Sequence, residues 1–464
     1  MISKAVLREI SNIVGPENLI LSQDKLAEYG TDATKLEFMP DAVAFPGNDD
    51  EVSRILRLAS EVGLPVIPRG AGSGMSGGAL PVKGGLVMPM LRFNRILSID
   101  QDNLVAKVEP GVITAHLQAS VEHIGLFYPP DPASYHISTI GGNVAQCAGG
   151  LRAVKYGVTR DYVLGLTVVL PTGEIIKTGV ETKKGVAGYD LTRLILGSEG
   201  TLAVITAIIL RLIPKPPAKK TMIALFPDVS SAVQTVSDII RYKIIPSILE
   251  LIDRLCLDCI REEMNLPLPL GAGSMLLIEL DGEKILLERD VDRLREICSR
   301  GGSLTFTAAH DSKEADRLWD ARRSISPSLY KLRPHKISED IVVPRSRMAD
   351  LVAYLDELGN RYGLPLPAFG HAGDGNIHVN IMLDRTNARE LADAKSVINR
   401  LFKKVIQMGG TITGEHGIGI TKAMYLEMEV PRTGLELMSR IKKAFDPAGI
   451  LNPGKIFPES LSLY

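Results

Sequence analysis

The sequence predicts an α+β protein in which an α/β part precedes a ferredoxin-like antiparallel sheet. Three observations carry this. The first part of the chain alternates short strands with helices and glycine-rich turns. A stiff polar break, Pro214-Lys215-Pro216-Pro217, ends that pattern and marks a domain boundary. Beyond it the segments run β-α-β-β-α-β, the order of a ferredoxin-like unit. A chain of 464 residues is long enough for two or three such domains.

In the first part, strands are expected at Asp41–Phe45, Leu64–Pro68, Leu86–Pro89 and Leu104–Glu109. The carboxylates of Asp49 and Asp50 open a helix running to Val62, where they complement its positive end. Thr114 is read as the cap of a helix reaching Ile124. Leu164–Leu170 and Glu174–Thr178 form a hairpin about Pro171-Thr172-Gly173. Asp190–Leu196 is a short helix, and a long strand covers Ala203–Ile213. In the second part, strands fall at Thr221–Phe226, Ser247–Ile252, Met275–Leu280 and Leu304–Thr307, with helices at Val229–Arg241 and Lys284–Ser299. Pro267–Gly273 forms a Pro/Gly-rich break near the middle. A helix at Ala315–Tyr330, a strand at Ile337–Val343 and helices at Met348–Tyr362 and Ala388–Met408 follow. The tail, Asp446–Phe457, is a series of Gly and Pro turns.

Lys and Arg number 53 against 54 Asp and Glu, so the balance gives no reason to expect nucleic acid or an anionic membrane as partner. The strongly apolar run Thr201–Leu210 is too short to span a bilayer, so no integral membrane segment is expected. No signal-peptide pattern opens the sequence. Four scattered cysteines fit a reducing compartment, and a cytoplasmic location is expected. Cys256 and Cys259 make one C-x-x-C with no second pair, and their apolar neighbours at helical spacing place them in a helix core.

The densest motif is Arg69–Pro81, RGAGSGMSGGALP. Glycines let backbone approach a ligand, and successive N–H groups can converge on an anion. Gly72, Gly74 and Gly77 match G-x-G-x-x-G, but Ala79-Leu80-Pro81 leaves no room for the helix of a Rossmann unit, and no G-K-[ST] follows. The stretch is therefore read as a diphosphate cradle between two strands. Tyr128–Gly150 is a second irregular, polar stretch suited to holding a ring-bearing ligand by backbone groups. Gly197–Leu202, GSEGTL, is a third Gly/Ser turn.

The second half carries FGHAGDGNIHVNI (Phe369–Ile381) and TGEHGIG (Thr413–Gly419). His371, His378 and Glu415 would make a His₂Glu set of the kind that catalytic zinc uses. On residues alone two readings stand: a metal site, or ordinary satisfied polar groups. His416, next to Glu415, suits a base because imidazole titrates near neutrality.

Six motifs together carry a family resemblance: Pro68–Pro81, Pro129–Gly150, Leu196–Leu202, His371–Asn380, Gly414–Gly419 and Leu451–Lys455. They resemble those of the FAD-linked 2-hydroxyacid dehydrogenases of the vanillyl-alcohol oxidase superfamily, over nearly the whole length. The resemblance implies a two-subdomain α/β FAD-binding domain over 1–215, a ferredoxin-like antiparallel-sheet cap domain over 216–420, and a closing segment, 421–464, that returns to the FAD domain. It implies non-covalent FAD, since the cradle holds no His or Cys. Arg69, Gly70, Ala71, Gly72, Ser73, Gly74, Ser76, Gly77 and Gly78 would hold the diphosphate. Asp131, Ser138, Thr139, Gly142, Asn143 and Ala145 would line the flavin, with Gly200, Ile205 and Asn452 adding contacts. A divalent metal (Zn, Mn or Fe) would sit on His371, His378 and Glu415. Asn380 would touch substrate, and His416 would be the base.

The implied reaction is oxidation of a small D-2-hydroxy acid to the 2-oxo acid, with hydride passing to flavin N5. D-Lactate is expected first. The alternatives are a glycolate oxidase catalytic subunit and a D-2-hydroxyglutarate dehydrogenase. Electrons are expected to leave through an electron-transfer flavoprotein or an iron–sulfur subunit. Arg322 takes the place of the family's carboxylate-binding arginine, and Ser326 that of a threonine four residues on. Ser338 stands where dicarboxylate enzymes have a lysine. Lys336 lies two residues further back, ~7 Å away along the strand. Arg322 on the surface, paired with Asp320 or Glu339, is the plainer alternative.

Overall fold

The computed structural model describes residues 2–262, 269 and 271–458. The chain divides into two units. The first comprises Met1–Gly149, Val158–Lys215 and Glu415–Tyr464, and the second Gly150–Gly157 and Pro216–Gly414.

The first unit holds two larger sheets. In one, Ala42–Ala44, Leu86–Pro89 and Val66–Arg69 run parallel in that order, with Leu19–Ile20 antiparallel at one edge. Helices Lys4–Val14 and Asp49–Val62 bury Ile10, Val52, Ile55 and Leu56 among Val66, Leu86 and Met88. The second helix is capped one residue earlier than expected. The Asn48 side chain accepts from Glu51 N–H at 3.0 Å, and Asp49, Asp50 and Glu51 occupy the first turn.

The other sheet is antiparallel, in the order Ile96–Asp100, Val105–Val108, Val204–Arg211, Val163–Val169, Ile175–Gly179. Its edge strand Ile96–Asp100 was not expected, because none of its residues is buried and no alternation announces it. Thr114 is the first helical residue rather than the cap. Its hydroxyl accepts from Asn143 Nδ2 at 2.8 Å and so ties the helix Thr114–Glu122 to the following polar stretch. That stretch is more regular than its composition suggests. Ile140–Gln146 is a helix capped by Thr139, which offsets the poor helix propensity of Gly141 and Gly142.

The second unit is one seven-stranded antiparallel sheet, in the order Thr305–Ala308, Ala218–Phe226, Ser274–Gly282, Ile248–Ile252, Ala368–His371, Asn376–Leu383, His335–Val342. The first four give the 4-1-3-2 order of a ferredoxin-like sheet, with helices Val229–Arg241 and Lys284–Arg300 as its crossovers. The last three extend it and carry both histidines of the glycine-flanked motif. Helix Arg254–Ile260 buries Cys256 and Cys259 in the core with Trp319 and Ile325. Gly150–Gly157 joins this unit because Lys155 pairs with Asp281 and Tyr156 Oη donates to the same carboxylate at 2.8 Å. Residues 267–273 lie in part outside the described residues. Among the described residues no helix is long and apolar enough to cross a membrane.

Asp253 caps the cysteine-bearing helix. Its carboxylate accepts from Cys256 N at 2.8 Å and Ala368 N at 2.6 Å. Burial pushes its pKa up to about 6 from an ordinary 3.8, and those N–H groups only partly oppose the rise. The folded state therefore holds this proton more tightly than the unfolded chain does. The stabilisation is full below the unfolded value and is lost as pH rises through about 6. Asp253→Asn removes that dependence. Across pH 4–7 the wild type should lose stability relative to the variant by on the order of 3 kcal/mol, measured as the difference in urea unfolding free energy.

Candidate functional site

In the first unit, strand Val66–Arg69 delivers the glycine loop into a cleft of about 1370 Å³, counting its open mouth. Arg69, Gly70, Ala71, Gly72, Ser73, Gly74 and Gly78 line one wall. Ser138, Thr139, Gly142, Asn143 and Ala145 line a second, joined by Gly200 and Ile205. Gly72 has φ +72°, and a Cβ there would lie 2.0 Å from Arg69 Nη2, so the loop folds directly over that guanidinium. At Gly74 a Cβ would meet nothing within 4 Å, since this part of the loop faces open space. Gln146 Oε1, in the same lining, is buried without a hydrogen-bond partner. A cleft of glycine backbone and small polar groups, with one orphaned acceptor, fits a dinucleotide.

Four expected cofactor residues do not line the cleft. Ser76 and Gly77 form the back of the loop. The Ser76 carbonyl accepts from Ile420 N at 2.8 Å, and a Cβ on Gly77 would strike Ile420 at 2.5 Å. Asp131 is buried outside the lining. Asn452 acts as a brace, its Nδ2 donating to the Gly78 carbonyl at 2.9 Å and the Glu199 carbonyl at 2.7 Å. The Arg69 guanidinium is held by the Thr31 carbonyl, to which it donates at 2.8 Å.

Glu415 and His416 also line this cleft, with Glu415 Oε1 4.0 Å from His416 Nε2. The loop that carries them is held by Glu199, a residue not singled out from the sequence. Its buried carboxylate accepts from Ile418 N and Gly419 N, each at 2.7 Å. Burial raises the Glu199 pKa, and those two N–H groups with Lys455 and Lys422 oppose the rise. The signal in the sequence was a glutamate inside a glycine turn, and the structure gives it the left-handed φ of +54°.

In the second unit, His371 and His378 sit on adjacent strands with their rings perpendicular and 5.2 Å apart. His371 Nδ1 is 2.5 Å from Glu250 Oε1. Arg322 is not paired with Asp320 or Glu339. Its Nε and Nη2 reach the other Glu250 oxygen at 2.7 and 2.5 Å, while Asp320 pairs with Arg323. Burial alone would raise the Glu250 pKa, but His371 and Arg322 together hold it down at about 2. Lys336 reaches further than expected, its Nζ donating to Ser326 Oγ at 2.6 Å. Asn380 is buried with its amide engaged inside the sheet: Oδ1 accepts from Ser338 Oγ at 3.0 Å, and Nδ2 donates to the Pro367 and His378 carbonyls. Asp340, fully buried, accepts from Asn376 Nδ2, Thr413 Oγ1 and Gly414 N. Glu415 follows Gly414 directly, so this carboxylate fixes where the chain stands one residue before it.

Two family descriptions match the chain: "FAD binding domain" over residues 40–179 and "FAD linked oxidases, C-terminal domain" over residues 215–456. The glycolate oxidase subunit GlcD of Bacillus subtilis is 48% identical, covering 98% of this chain and 97% of its own. A D-lactate dehydrogenase of Anaerostipes hadrus is 34% identical, covering 96% and 94%. The fold matches p-cresol methylhydroxylase with a TM-score of 0.82 at 19% identity, covering 99% and 97%.

The cradle geometry is directly testable. Gly72→Ala places a methyl against Arg69 and should lower bound flavin at least ~10-fold, read as flavin absorbance per protein. Gly63→Ala, also at positive φ but with open space around it, should cost about 1 kcal/mol of stability and keep the flavin.

A glycine-walled cleft, two FAD-oxidase family matches and near full-length likeness to a glycolate oxidase subunit and a D-lactate dehydrogenase lead to one conclusion: the chain belongs to the FAD-linked 2-hydroxyacid dehydrogenases.

Proposed function

We propose that this FAD-dependent hydroxyacid dehydrogenase oxidises a small D-2-hydroxymonocarboxylate, D-lactate first, with the help of a divalent metal, and passes its electrons to a partner protein. The observation that carries the reading is that Glu415 and His416 line the same cleft as the glycine cradle, so a candidate base stands in the wall of the cofactor site. The cradle and the Ser138–Ala145 wall hold FAD. The donor set for the metal is His371, His378 and Glu415. His371 suits ligation through Nε2, because Nδ1 is already on Glu250. When bound, FAD supplies the two-electron acceptor, and the metal supplies positive charge that lowers the pKa of the substrate hydroxyl.

Each remaining role falls to a side chain of this protein. Arg322 offers the outer Nη1–Nη2 edge of its guanidinium to the substrate carboxylate, since Glu250 occupies the Nε–Nη2 edge. Ser326 lies one helical turn on, along the same face. His416 accepts the hydroxyl proton at an imidazole nitrogen as the Cα–H bond breaks. Asn380 acts by ordering the strand that carries His378. The electron acceptor is an electron-transfer flavoprotein or an iron–sulfur subunit. The free cysteines Cys147, Cys256, Cys259 and Cys298 suit a reducing, cytoplasmic setting.

Glycolate is the second reading, favoured by the 48% identity to a GlcD subunit. Comparing kcat/KM for D-lactate, glycolate and D-2-hydroxyglutarate decides between them, and either monocarboxylate should exceed the dicarboxylate at least ~10-fold. A dicarboxylate preference would assign the distal carboxylate to Lys336 at Ser326 and overturn the reading. Equally fast reduction of oxygen, seen as peroxide release, would overturn the partner.

His416→Ala should slow anaerobic flavin bleaching by substrate about 10²- to 10⁴-fold while metal content and the flavin spectrum stay unchanged. Chelation, or His378→Ala, should abolish bleaching and leave FAD in place. Full activity in a metal-free sample would remove the metal from the mechanism.

A further inference from the structure

We infer that Glu250 is a positioning residue that sets the binding atom of His371 and the usable edge of Arg322 at once. The inference rests on the metal reading above.

Glu250 lies on strand Ile248–Ile252, in register opposite His371. The sheet itself imposes their pairing, since side chains of directly opposed residues stand about 5 Å apart. Glu250 is 0% exposed, and a carboxylate so placed is costly unless both oxygens are satisfied. Each oxygen is committed to a different partner. Oε1, as a carboxylate oxygen, accepts from His371 Nδ1–H, which leaves Nε2 as the ring atom that can ligate. Oε2 accepts from Arg322 Nε and Nη2, so Arg322 can meet an anion only along its outer edge. The guanidinium cannot swing away, because its Cζ stacks over the Phe369 ring at 4.4 Å. Phe369 in turn packs against His378 at 5.5 Å. One carboxylate thus aligns a metal-binding nitrogen with a carboxylate-binding fork, the two contacts that a 2-hydroxy acid needs at adjacent carbons.

The test uses the FAD-loaded full-length protein stripped of metal and titrated with Co²⁺, followed by its visible absorption, together with steady-state kinetics on D-lactate. Glu250→Gln keeps the volume but loses the charge. It should weaken Co²⁺ binding about 10- to 100-fold and raise KM for D-lactate. Arg322→Met should raise KM and leave Co²⁺ affinity within about threefold, because the Glu250–His371 contact remains. Unchanged Co²⁺ affinity in Glu250→Gln overturns the inference alone. A wild type that takes up no Co²⁺ overturns the metal reading as well. If Glu250→Gln does not fold, ¹⁵N-histidine spectra of the wild type decide, with the His371 signals assigned by His371→Asn. The proton should sit on Nδ1, and a proton on Nε2 overturns the inference.

Discussion

Much of the first unit depends on one buried carboxylate. Glu199 is 6% exposed, so the backbone must supply most of what solvent cannot. Two consecutive N–H groups, Ile418 and Gly419, do so. In meeting that need, the glycine-rich 414–419 segment is drawn against the turn that also forms the cofactor wall. Asn452 completes the arrangement by bonding both the Glu199 and Gly78 carbonyls. Glycine loop, turn, 415–419 loop and tail are thereby one hydrogen-bonded assembly.

The second unit solves a related problem in a different way. Glu250 and Asp340 are both fully buried, and each sits beside one histidine of the glycine-flanked motif. Glu250 is satisfied by the Arg322 guanidinium and the His371 ring, and Asp340 by an amide, a hydroxyl and a backbone N–H. Satisfied buried networks of this kind resist small displacements, because any shift leaves a group unpaired in a low-dielectric setting. That is the property a site needs when it must hold ligand atoms to fractions of an ångström.

What could be read in the sequence was chemistry that acts locally. A glycine loop declares itself by composition, a capped helix by its first turn, and a buried strand by an apolar run. The fold class and the glycine loop that walls the cleft were legible on those terms. The two carboxylates that organise the sites were not, because their partners are remote. Glu250 meets His371 across 121 positions, and Glu199 meets Ile418 across 219. Nothing near Glu250 distinguishes it from the many on the surface, and Glu199 is marked only by the glycine turn that holds it. The helix Ile140–Gln146 was hidden for the opposite reason, since its local propensity is poor and the Thr139 cap with the bond from Asn143 to Thr114 overrides it. Lys336 was misjudged because strand spacing measures backbone, whereas a lysine adds a long, flexible stem.

The path of the chain between the units has a consequence for biosynthesis. It passes from one unit to the other at Gly149/Gly150, Gly157/Val158, Lys215/Pro216 and Gly414/Glu415. The ribosome therefore releases the whole second unit before it delivers residues 415–458, on which the first unit draws. Until they emerge, Glu199 lacks its N–H partners, strand Val66–Arg69 lacks the Asn452 amide that donates to its Val66 carbonyl, and the cleft lacks a wall. A nascent chain can thus complete its antiparallel sheet before residue 415 emerges, but it closes the cleft only once the 415–458 segment has followed, and a message truncated between the two costs the first unit more than the second.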